Sequence, residues 1–441
     1  MLRKAPYLSI WLAILFCIVF NLNAPSQTYT VLHSLIPATE GQIPLQLILS
    51  SNVLYGTSGN GTPYNWGAVF EMNTDGSGFT NLYEFTGGSD GGGPTSGLAF
   101  SNNVLYGTTY YHGNSWGTVF SLNVQSTDFS NIYSFENGTD GAEPPQGVVL
   151  SGSNLFGVAV HGGDYGYGSL YELSTNGSDF VTVHSFDLAP TNGFYPEAAL
   201  IASNNALFGT TYRGGTSSSD GTVFTMNSDG TGYKNLHNFS GSDGDNPQAP
   251  LLLYSNVLYG TANAGGASNF GTIFRVNAGG SDFTNLYSFT GGSDGANPQG
   301  QLIARGNTLY GTASSGGKWN AGTIFSIQTD GSGFTNLYTF TGGTDGGTPL
   351  AGLVLNGNTL YGSASSGGIG QESGTIFALI LAPVVLSSTL TKGQLVLMWN
   401  DPIYALQSTT NLMTAWSNVP NANSPYTNTI TGPQRFFRLV Y

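Results

Sequence analysis

A unit of about fifty residues, repeated seven times, limits what this chain can fold into more than any other feature. The tripeptide Leu-Tyr/Phe-Gly recurs every 50 to 52 residues, ending at Gly56, Gly107, Gly157, Gly209, Gly260, Gly311 and Gly362. A second motif, Gly-x-[Val/Ile/Leu]-[Phe/Tyr], follows it in every copy, beginning at Gly67 in the first and at Gly374 in the last. A fixed period of this length indicates a repeat architecture.

Each copy has the pattern of four short β-strands, which we call A to D. In the sixth copy they are predicted at Gln299–Arg305, Thr308–Ala313, Gly322–Gln328 and Phe334–Phe340. Glycine and asparagine lie between A and B and between C and D, where tight turns require positive φ angles. Four strands at a period near fifty are typical of the blade of a β-propeller.

The number of strands indicates how the repeats close. Strands A, B and C occur seven times, but only six complete D strands follow them. The run Tyr29–Leu35, before the first copy, has the pattern of the missing D strand. We therefore expect an all-β fold: a seven-bladed β-propeller closed by its N-terminal strand, which leaves no unpaired blade edge.

The two ends of the chain differ from the repeats. Residues 1–26 are predicted to be a signal peptide, with Arg3 and Lys4, an apolar stretch, and Ala24-Pro25-Ser26 before the cleavage site. The apolar stretch is too short for a membrane span, so we expect no stable membrane insertion after cleavage. Residues 27–380 form the predicted propeller. Residues 381–441 lose the period and are predicted to be a small C-terminal β-sandwich-like module.

Charge and cysteine content exclude several classes of function. The chain has 10 Lys and Arg against 24 Asp and Glu, a net charge of −14, and no basic cluster beyond the N-terminus. Nucleic-acid binding requires such a basic surface and is excluded. Cys17 is the single cysteine and lies in the predicted signal peptide. The exported chain is therefore expected to contain no disulfide and no cysteine metal ligand.

The combined motif resembles a known family. It runs Asp-Gly-Ser-Gly-Phe-Thr-Asn-Leu-Tyr, Asp-Gly-x-x-Pro, Leu-Tyr-Gly-Thr and Gly-Thr-Ile-Phe, and it resembles the GloVer tandem repeat of secreted bacterial proteins over residues 28 to 380. The resemblance implies an exported, kelch-like bacterial propeller, located outside the cell, on the outer cell surface or in the periplasm. It implies no catalytic residues and no substrate. Residues 381–441 resemble a C-terminal module found after repeats in verrucomicrobial exported proteins.

The B–C loops vary most between copies, and variable loops on a repeated scaffold are the usual site of binding. They hold most of the irregular aromatic and polar residues. Exposed rings beside polar groups suit sugars, whose apolar C–H faces can lie on aromatic faces. The alternative is that these side chains fold back and cover blade edges. The candidate ligand-binding residues are Tyr64, Trp66, Tyr111, His112, Trp116, Tyr165, Tyr167, Tyr212, Arg213, Phe270 and Trp319.

The D–A loops carry a repeated acidic residue, at Asp90, Asp140, Asp243, Asp294 and Asp345 in the motif Asp-Gly-x-x-Pro. We expect these residues to cap their own turns. One carboxylate per blade does not supply the 6–8 oxygens that calcium requires, so no metal site is expected. His33, His184 and His237 occupy a column that holds tyrosine in other copies, and we expect them to be structural.

The function expected from the sequence is binding of a glycan or another cell-surface polymer by a monomeric, non-enzymatic propeller. No catalytic motif, metal or cofactor is expected. Two alternatives remain open. One is a carbohydrate-active enzyme, a glycosidase or lyase, that uses carboxylates such as Asp164, Asp220 or Glu372 on the same face. The other is a structural surface or adhesion protein.

Overall fold

The computed structural model describes residues 27–94, 97–111, 116–189, 192–215, 220–370 and 373–382, followed by 386–391, 394–399, 405–410, 415–420, 422–429 and 435–440. Every regular element among them is a β-strand, which confirms the all-β prediction. The predicted signal peptide and the loop residues His112 and Glu372 lie outside these ranges. No helix in the described part of the chain is long and apolar enough to cross a membrane.

The chain divides into two compact units. One comprises Gln27–Ala304 and Thr308–Leu381, and the other contains Ala382–Tyr441 with the turn Arg305–Asn307. The first unit holds the repeats, each of which forms an antiparallel sheet with its strands paired in chain order.

The strands of the first three repeats are as follows. The chain begins with β1 (Thr28–Ser34). Sheet 1 contains β2 (Gln42–Pro44), β3 (Ile48–Ser50), β4 (Val53–Asn60), β5 (Ala68–Asn73) and β6 (Thr80–Glu84). Sheet 2 contains β7 (Gly92–Pro94), β8 (Ala99–Ser101), β9 (Val104–Tyr111), β10 (Thr118–Asn123) and β11 (Phe129–Ser134). Sheet 3 contains β12 (Val149–Ser151), β13 (Asn154–Ala159), β14 (Ser169–Ser174) and β15 (Val181–Ser185).

The later repeats follow the same plan. Sheet 4 contains β17 (Ile201–Ser203), β18 (Ala206–Thr211), β20 (Thr222–Asn227) and β21 (Lys234–Asn238). Beside it, the two-residue strands β16 (Gly193–Phe194) and β19 (Arg213–Gly214) pair with each other. Sheet 5 contains β22 (Leu252–Tyr254), β23 (Val257–Ala262), β24 (Thr272–Asn277) and β25 (Thr284–Ser288). Sheet 6 contains β26 (Ile303–Arg305), β27 (Thr308–Ala313), β28 (Thr323–Gln328) and β29 (Thr335–Thr339). Sheet 7 contains β30 (Val354–Asn356), β31 (Thr359–Ala364) and β32 (Thr375–Ile380).

The repeated residues explain the local structure. In the A–B turn of sheet 2, Asn102 and Asn103 have φ angles of 51° and 63°, as a two-residue hairpin turn with positive φ requires. The glycine of Leu-Tyr-Gly makes room for the core. A Cβ atom on Gly311 would lie 2.6 Å from Cζ of Phe325 and 2.7 Å from Cδ2 of Leu302. Any larger residue there would displace the ring of Phe325.

Strand A is shorter than predicted. In sheet 6 it was expected from residue 299 but spans only Ile303–Arg305. In sheet 1 it is divided into β2 and β3, which pair with opposite ends of β4. The break follows from the Asp-Gly-x-x-Pro motif and its variants. Ile43, directly before Pro44, has a φ of 56°, and the proline itself has no N–H to donate to the sheet.

The N-terminal strand β1 pairs with β32, the last strand of the repeats. The antiparallel register joins Thr28 to Ile380 and Ser34 to Thr375. Sheet 7 therefore has the order β1-β32-β31-β30, with its fourth strand supplied from the other end of the unit.

Hydrophobic clusters join each sheet to the next. One cluster combines Leu47, Leu54 and Phe70 of sheet 1 with Tyr361 and Ile376 of sheet 7, so the last sheet also packs on the first. The other six join sheets 1 and 2, 2 and 3, 3 and 4, 4 and 5, 5 and 6, and 6 and 7. Within the described residues, each sheet therefore has a packed neighbour on both faces.

A ladder of stacked rings connects the D strands of successive sheets. In every pair, the tyrosine or histidine near the end of one D strand lies flat on the first aromatic ring of the next. Ring centroids are 3.4 to 4.5 Å apart and the planes differ by 12° or less. The pairs are His33–Phe79, Tyr83–Phe129, Tyr133–Phe180, His184–Tyr233, His237–Phe283, Tyr287–Phe334 and Tyr338–Tyr29. The last pair places β1 next to sheet 6.

The C-terminal unit contains two small sheets. One has the order β33 (Ser387–Thr391), β34 (Gln394–Met398), β37 (Tyr426–Thr429). The other has the order β36 (Ser417–Asn418), β35 (Ala405–Thr409), β38 (Phe436–Val440). Leu397, Trp399 and Leu406 belong to one buried cluster that includes residues of both sheets.

Removal of β1 tests the pairing at the end of the repeats. Deleting residues 27–35 would expose the edge of β32 and remove the ring of Tyr29 from Tyr338. Burial of one aromatic ring is worth about 3–5 kcal/mol, so we expect aggregation or a fall in Tm of at least about 5 °C. Tyr29→Phe is the control, since it keeps the ring and loses one hydrogen bond worth about 1 kcal/mol. A deleted chain as stable as the control would contradict the pairing.

The ladder also predicts a pH dependence. Burial lowers the pKa of His184, partly opposed by the charge of Asp187. The folded state therefore binds fewer protons than the unfolded state as the pH falls through about 6.5, and stability is lost in that range. His184→Phe keeps a stacking ring without the titration. Thermal melts from pH 7.5 to pH 5 should show a smaller loss of Tm for His184→Phe than for the unaltered chain, with Tyr287→Phe as a control that keeps the full loss. Equal losses for His184→Phe and the control would contradict this reasoning.

Candidate functional site

The B–C and D–A loops lie at the same edge of every sheet, and we call this edge the loop face. The two loops of a repeat are joined at their bases by short backbone ladders. The strands β2, β7 and β16 pair with β4, β9 and β19. Equivalent bridges link Ala142 with His161, Asp245 with Ala264, Ala296 with Ser315, and Gly347 with Ser366. Each variable loop is therefore anchored on a segment of nearly constant structure.

The repeated acidic residues hold the D–A loops. Asp294 accepts hydrogen bonds from the backbone N–H of Thr290 (2.8 Å), from its hydroxyl (2.6 Å) and from the Tyr287 hydroxyl (3.0 Å). The same contacts to backbone and tyrosine recur at Asp90, Asp140 and Asp345. His237 replaces the tyrosine beside Asp243, at 2.9 Å. These carboxylates close their loops, as expected, and the described residues contain no group of three His, Cys, Asp or Glu placed to hold a metal ion.

Six of the candidate ligand-binding residues are exposed aromatic rings. Trp319 and Tyr64 are each 56% exposed, Tyr165 is 60% exposed and Trp116 is 49% exposed. Tyr111 and Phe270 are exposed as well. The ammonium group of Lys318 lies 4.7 Å from the ring centre of Trp319. These six rings are distributed among the B–C loops of sheets 1, 2, 3, 5 and 6.

The other candidates pack against protein. Trp66 is half-buried and lies against Gly87 and Gly92 of the next D–A loop, where a Cβ on Gly87 would be 2.2 Å from its Nε1. Phe270 covers Gly291 in the same manner, although more of its ring is exposed. Tyr167 contacts Phe194 and Tyr195. His112 lies outside the described residues.

The remaining two candidates, Tyr212 and Arg213, form part of a polar network. The Arg213 guanidinium lies 4.6 Å from the ring centre of Tyr212, and its Nη1 is 3.9 Å from Oδ1 of Asp245. Burial and the charge of Asp220 raise the pKa of Asp245, while Arg213 acts in the opposite direction.

A second part of this network lies between sheets 2 and 3. The Tyr110 hydroxyl donates to Oε2 of Glu143 at 2.9 Å, and Nε2 of His161 is 3.5 Å from the same oxygen. Burial, together with Glu143, raises the pKa of Tyr110. Glu143 was not a candidate from the sequence. The sequence does contain a signal for it. Glu143 directly precedes the repeated proline, and at this position the other repeats have uncharged residues such as Ile43 and Gly93.

The segments directly before the A strands line a partly open cavity of about 240 Å³. Every repeat except the second contributes to its lining, and the corresponding residues of the second, Thr95 and Ser96, lie outside the described ranges. The lining residues are Leu45, Gln46, Pro145, Gln146, Glu197, Gln248, Pro250, Gln299, Gln301, Leu350 and Ala351. Because blades surround a central channel with their first strands innermost, we call this space the axial cavity.

Glu197 is the acidic group of the axial cavity, and sequence reasoning missed it. Its Oε2 accepts a hydrogen bond from Nε2 of Gln248 at 2.7 Å. Burial raises its pKa, whereas the hydrogen bond from Gln248 and the charges of Arg213 and His161 act in the opposite direction. The signal in the sequence is the residue directly after the repeated proline, which is Glu197, Gln248 and Gln299 in three successive repeats.

The role of the repeated acid can be tested at Asp294. Asp294→Ala removes the acceptor from the Thr290 N–H and the Tyr287 hydroxyl, which should cost about 1–3 kcal/mol in the free energy of unfolding. Asp294→Asn keeps an acceptor oxygen and should cost less. Because we expect the carboxylate to close its loop instead of holding an ion, EDTA should leave the Tm of the unaltered chain unchanged in thermal melts. A Tm that falls by many degrees with EDTA and recovers with Ca²⁺ would contradict this role.

Comparison with solved structures shows similarity of fold at low sequence identity. The extracellular domain of a one-component system from B. thetaiotaomicron has a TM-score of 0.51 at 10% identity, covering 89% of this chain and 48% of that one. An oligogalacturonate lyase in complex with manganese has a TM-score of 0.50 at 10% identity, covering 81% and 96%. A puromycin-hydrolysing peptidase from Mycobacterium tuberculosis has a TM-score of 0.50 at 11% identity, covering 85% and 62%. These similarities show a propeller-like fold and nothing of function.

No curated protein matches the chain. A family of repeats does. The Gloeobacter/Verrucomicrobia repeat matches residues 17–219 and again residues 188–377, which together include all seven copies of the motif. The resemblance expected from the repeated residues is thereby confirmed, and the chain belongs to the Gloeobacter/Verrucomicrobia repeat family.

Proposed function

We propose that this chain is an exported, non-enzymatic seven-bladed β-propeller that binds a glycan or another cell-surface polymer through its loop face. The observation that carries the proposal is where the exposed rings lie. Among the described residues, every strongly exposed aromatic ring belongs to a B–C loop or to the strand end that enters one: Tyr64, Tyr111, Trp116, Tyr165, Phe270 and Trp319. Rings exposed on one face of a rigid scaffold can stack on successive sugars of a chain.

Seven blades are supported by three repeated contacts that include the two ends of the repeat unit. Tyr29 stacks on Tyr338, sheet 7 shares a core with sheet 1, and Pro44 lies against Gly374. A closed ring leaves no sheet edge open to other chains, which agrees with a monomer. We further propose the domain limits 1–26, 27–380 and 381–441, with the last as a β-sandwich-like module whose shared core supports this assignment.

The second candidate function is a carbohydrate-active enzyme on the same face. Two observations favour it, the raised pKa values of Glu197 and Asp245, since perturbed carboxyl groups occur at catalytic sites. One neighbour in fold is an oligogalacturonate lyase, which makes a polysaccharide lyase reaction the first to assay. Asp164 is exposed, and its backbone N–H donates to the Ser185 hydroxyl at 3.1 Å.

The proposal is tested by removing single rings. Trp319→Ala and Trp116→Ala should each weaken polymer binding roughly 5- to 150-fold, which corresponds to about 1–3 kcal/mol for one stacked ring. Their Tm should change little, because an exposed side chain has few core contacts. A glycan array with the mature protein identifies the polymer, and affinity measurements on the variants follow. Release of products from the same polymers would favour the enzyme.

Two further variants serve as controls. Phe325→Ala opens the core and should cost about 3–5 kcal/mol of stability. Trp66→Ala removes a half-buried ring that covers Gly87 and Gly92, and should lower the Tm more than Trp319→Ala does. If Trp319→Ala and Trp116→Ala lose stability to the extent that Phe325→Ala does, or bind the polymer unchanged, the proposed binding face is wrong.

A further inference from the structure

The axial cavity presents a chemistry different from that of the exposed rings. Its polar side chains are five amides and one carboxyl group: Gln46, Gln146, Gln248, Gln299, Gln301 and Glu197. No Lys, Arg or His side chain is among its lining residues. A ligand of this cavity must therefore be recognised by hydrogen bonds to amide and carboxyl groups.

The amide nitrogens are already engaged by the protein. Nε2 of Gln146 donates to the backbone oxygen of Gln248 (3.0 Å), and Nε2 of Gln248 donates to Glu197 (2.7 Å). Nε2 of Gln299 donates to Oδ1 of Asn263 (3.2 Å), and Nε2 of Gln301 donates to the backbone oxygen of Leu251 (2.9 Å). Each of these four glutamines is thus held through an N–H of its amide, whereas Oε1 of Gln46 accepts from the backbone N–H of Gly352 at 3.0 Å.

The oxygen ends of these four amides are left for a ligand. Within the described residues, no hydrogen bond reaches Oε1 of Gln146, Gln248, Gln299 or Gln301. An amide oxygen accepts up to two hydrogen bonds, and a carboxylate accepts several. The cavity therefore offers acceptors from successive repeats, to which the hydroxyl groups of a ligand can donate.

The carboxyl group of Glu197 also favours a ligand that donates hydrogen bonds and carries no negative charge. Burial raises the pKa of its carboxyl group, because the charged form is poorly solvated there. A hydroxyl that donates to the carboxylate would relieve this cost. A second carboxylate would place like charge near Glu197 and has no hydrogen to donate to it.

We propose that the axial cavity binds one neutral, hydroxyl-rich sugar residue at the end of a polymer chain and rejects uronic acids. Its volume, about 240 Å³, lies just below the range of about 300–1,000 Å³ for pockets of drug-sized ligands and suits a single sugar ring. The inference names the ligand class for the proposed binding function and rests on it for the polymer, but the cavity can be tested with monosaccharides alone.

The test measures binding of small sugars to the full mature chain. Methyl glycosides of glucose, galactose and mannose are titrated by calorimetry and saturation-transfer NMR, beside glucuronate and galacturonate. We expect at least one neutral glycoside to bind, and its matched uronate to bind at least about 10-fold more weakly. Equal or stronger binding of the uronate, or no binding of any neutral sugar, overturns the proposal.

Two cavity variants and one matched control identify the site. Gln299→Met keeps the size of the side chain and removes its amide, including the oxygen that faces a ligand and the bond to Asn263. It should weaken neutral-sugar binding about 10-fold, the effect of losing one hydrogen bond to the ligand. Glu197→Gln keeps an acceptor for Gln248 and removes the charge. It should therefore reduce the difference in affinity between the neutral sugar and the uronate. Gln125→Met makes the same replacement in an exposed C–D turn and should bind as the unaltered chain does.

The outcomes separate this inference from the proposed function. If a polymer binds through Trp319 while no neutral monosaccharide binds, or Gln299→Met and Glu197→Gln both bind as the control does, the cavity assignment is wrong and the function stands. If monosaccharides bind as described while no polymer depends on Trp116 or Trp319, the cavity assignment stands and the polymer-binding face is wrong. The Tm of each variant, measured in thermal melts, tests whether a change in binding comes from a loss of folded protein.

Discussion

The contact on which the repeat unit depends is the flat stacking of one aromatic ring on another between neighbouring D strands. Backbone hydrogen bonds pair the strands within a sheet, whereas the faces of successive sheets meet through side chains. Six of the seven stacked pairs lie beside the phenylalanine that directly follows the D strand, as Tyr287 and Phe334 lie beside Phe289. Flat stacking holds two neighbouring sheets at a nearly constant distance, since the ring centroids are 3.4 to 4.5 Å apart in all seven pairs.

The tyrosine of the stack also reaches the loop face. The Tyr287 hydroxyl donates to Asp294, and Asp294 holds the backbone of Thr290. The aspartate that defines the loop is thus positioned by the same ring that sets the spacing of the sheets. This coupling explains why the D–A loops are nearly uniform while the B–C loops, which are anchored on them, differ in length and composition.

Much of this structure was predictable because the repeat carries it. The strand order, the pairing of β1 with the last repeat and the capping role of the aspartates follow from patterns that recur at a fixed interval. Contacts that occur in only one repeat could not be predicted in this way. Glu143, Glu197 and Asp245 lie about fifty residues apart, and their neighbours in space, such as His161 and Arg213, become neighbours only where the sheets converge. The sequence of its own repeat does not show that Trp66 is half-buried, because its burial depends on contact with Gly87 of the next loop.

The pairing of Thr28 with Ile380 has a consequence for how the unit forms. Sheets 1 to 6 are built from residues close in sequence and can assemble in order as the chain is synthesised. Sheet 7 cannot, because its outer strand is made first and its other strands last, some 350 residues later. Loop closure over that distance is slow, so an incomplete chain exposes open edges until its end arrives. The edge of β1 therefore stays unpaired throughout synthesis, and its pairing with β32 is a late step of folding.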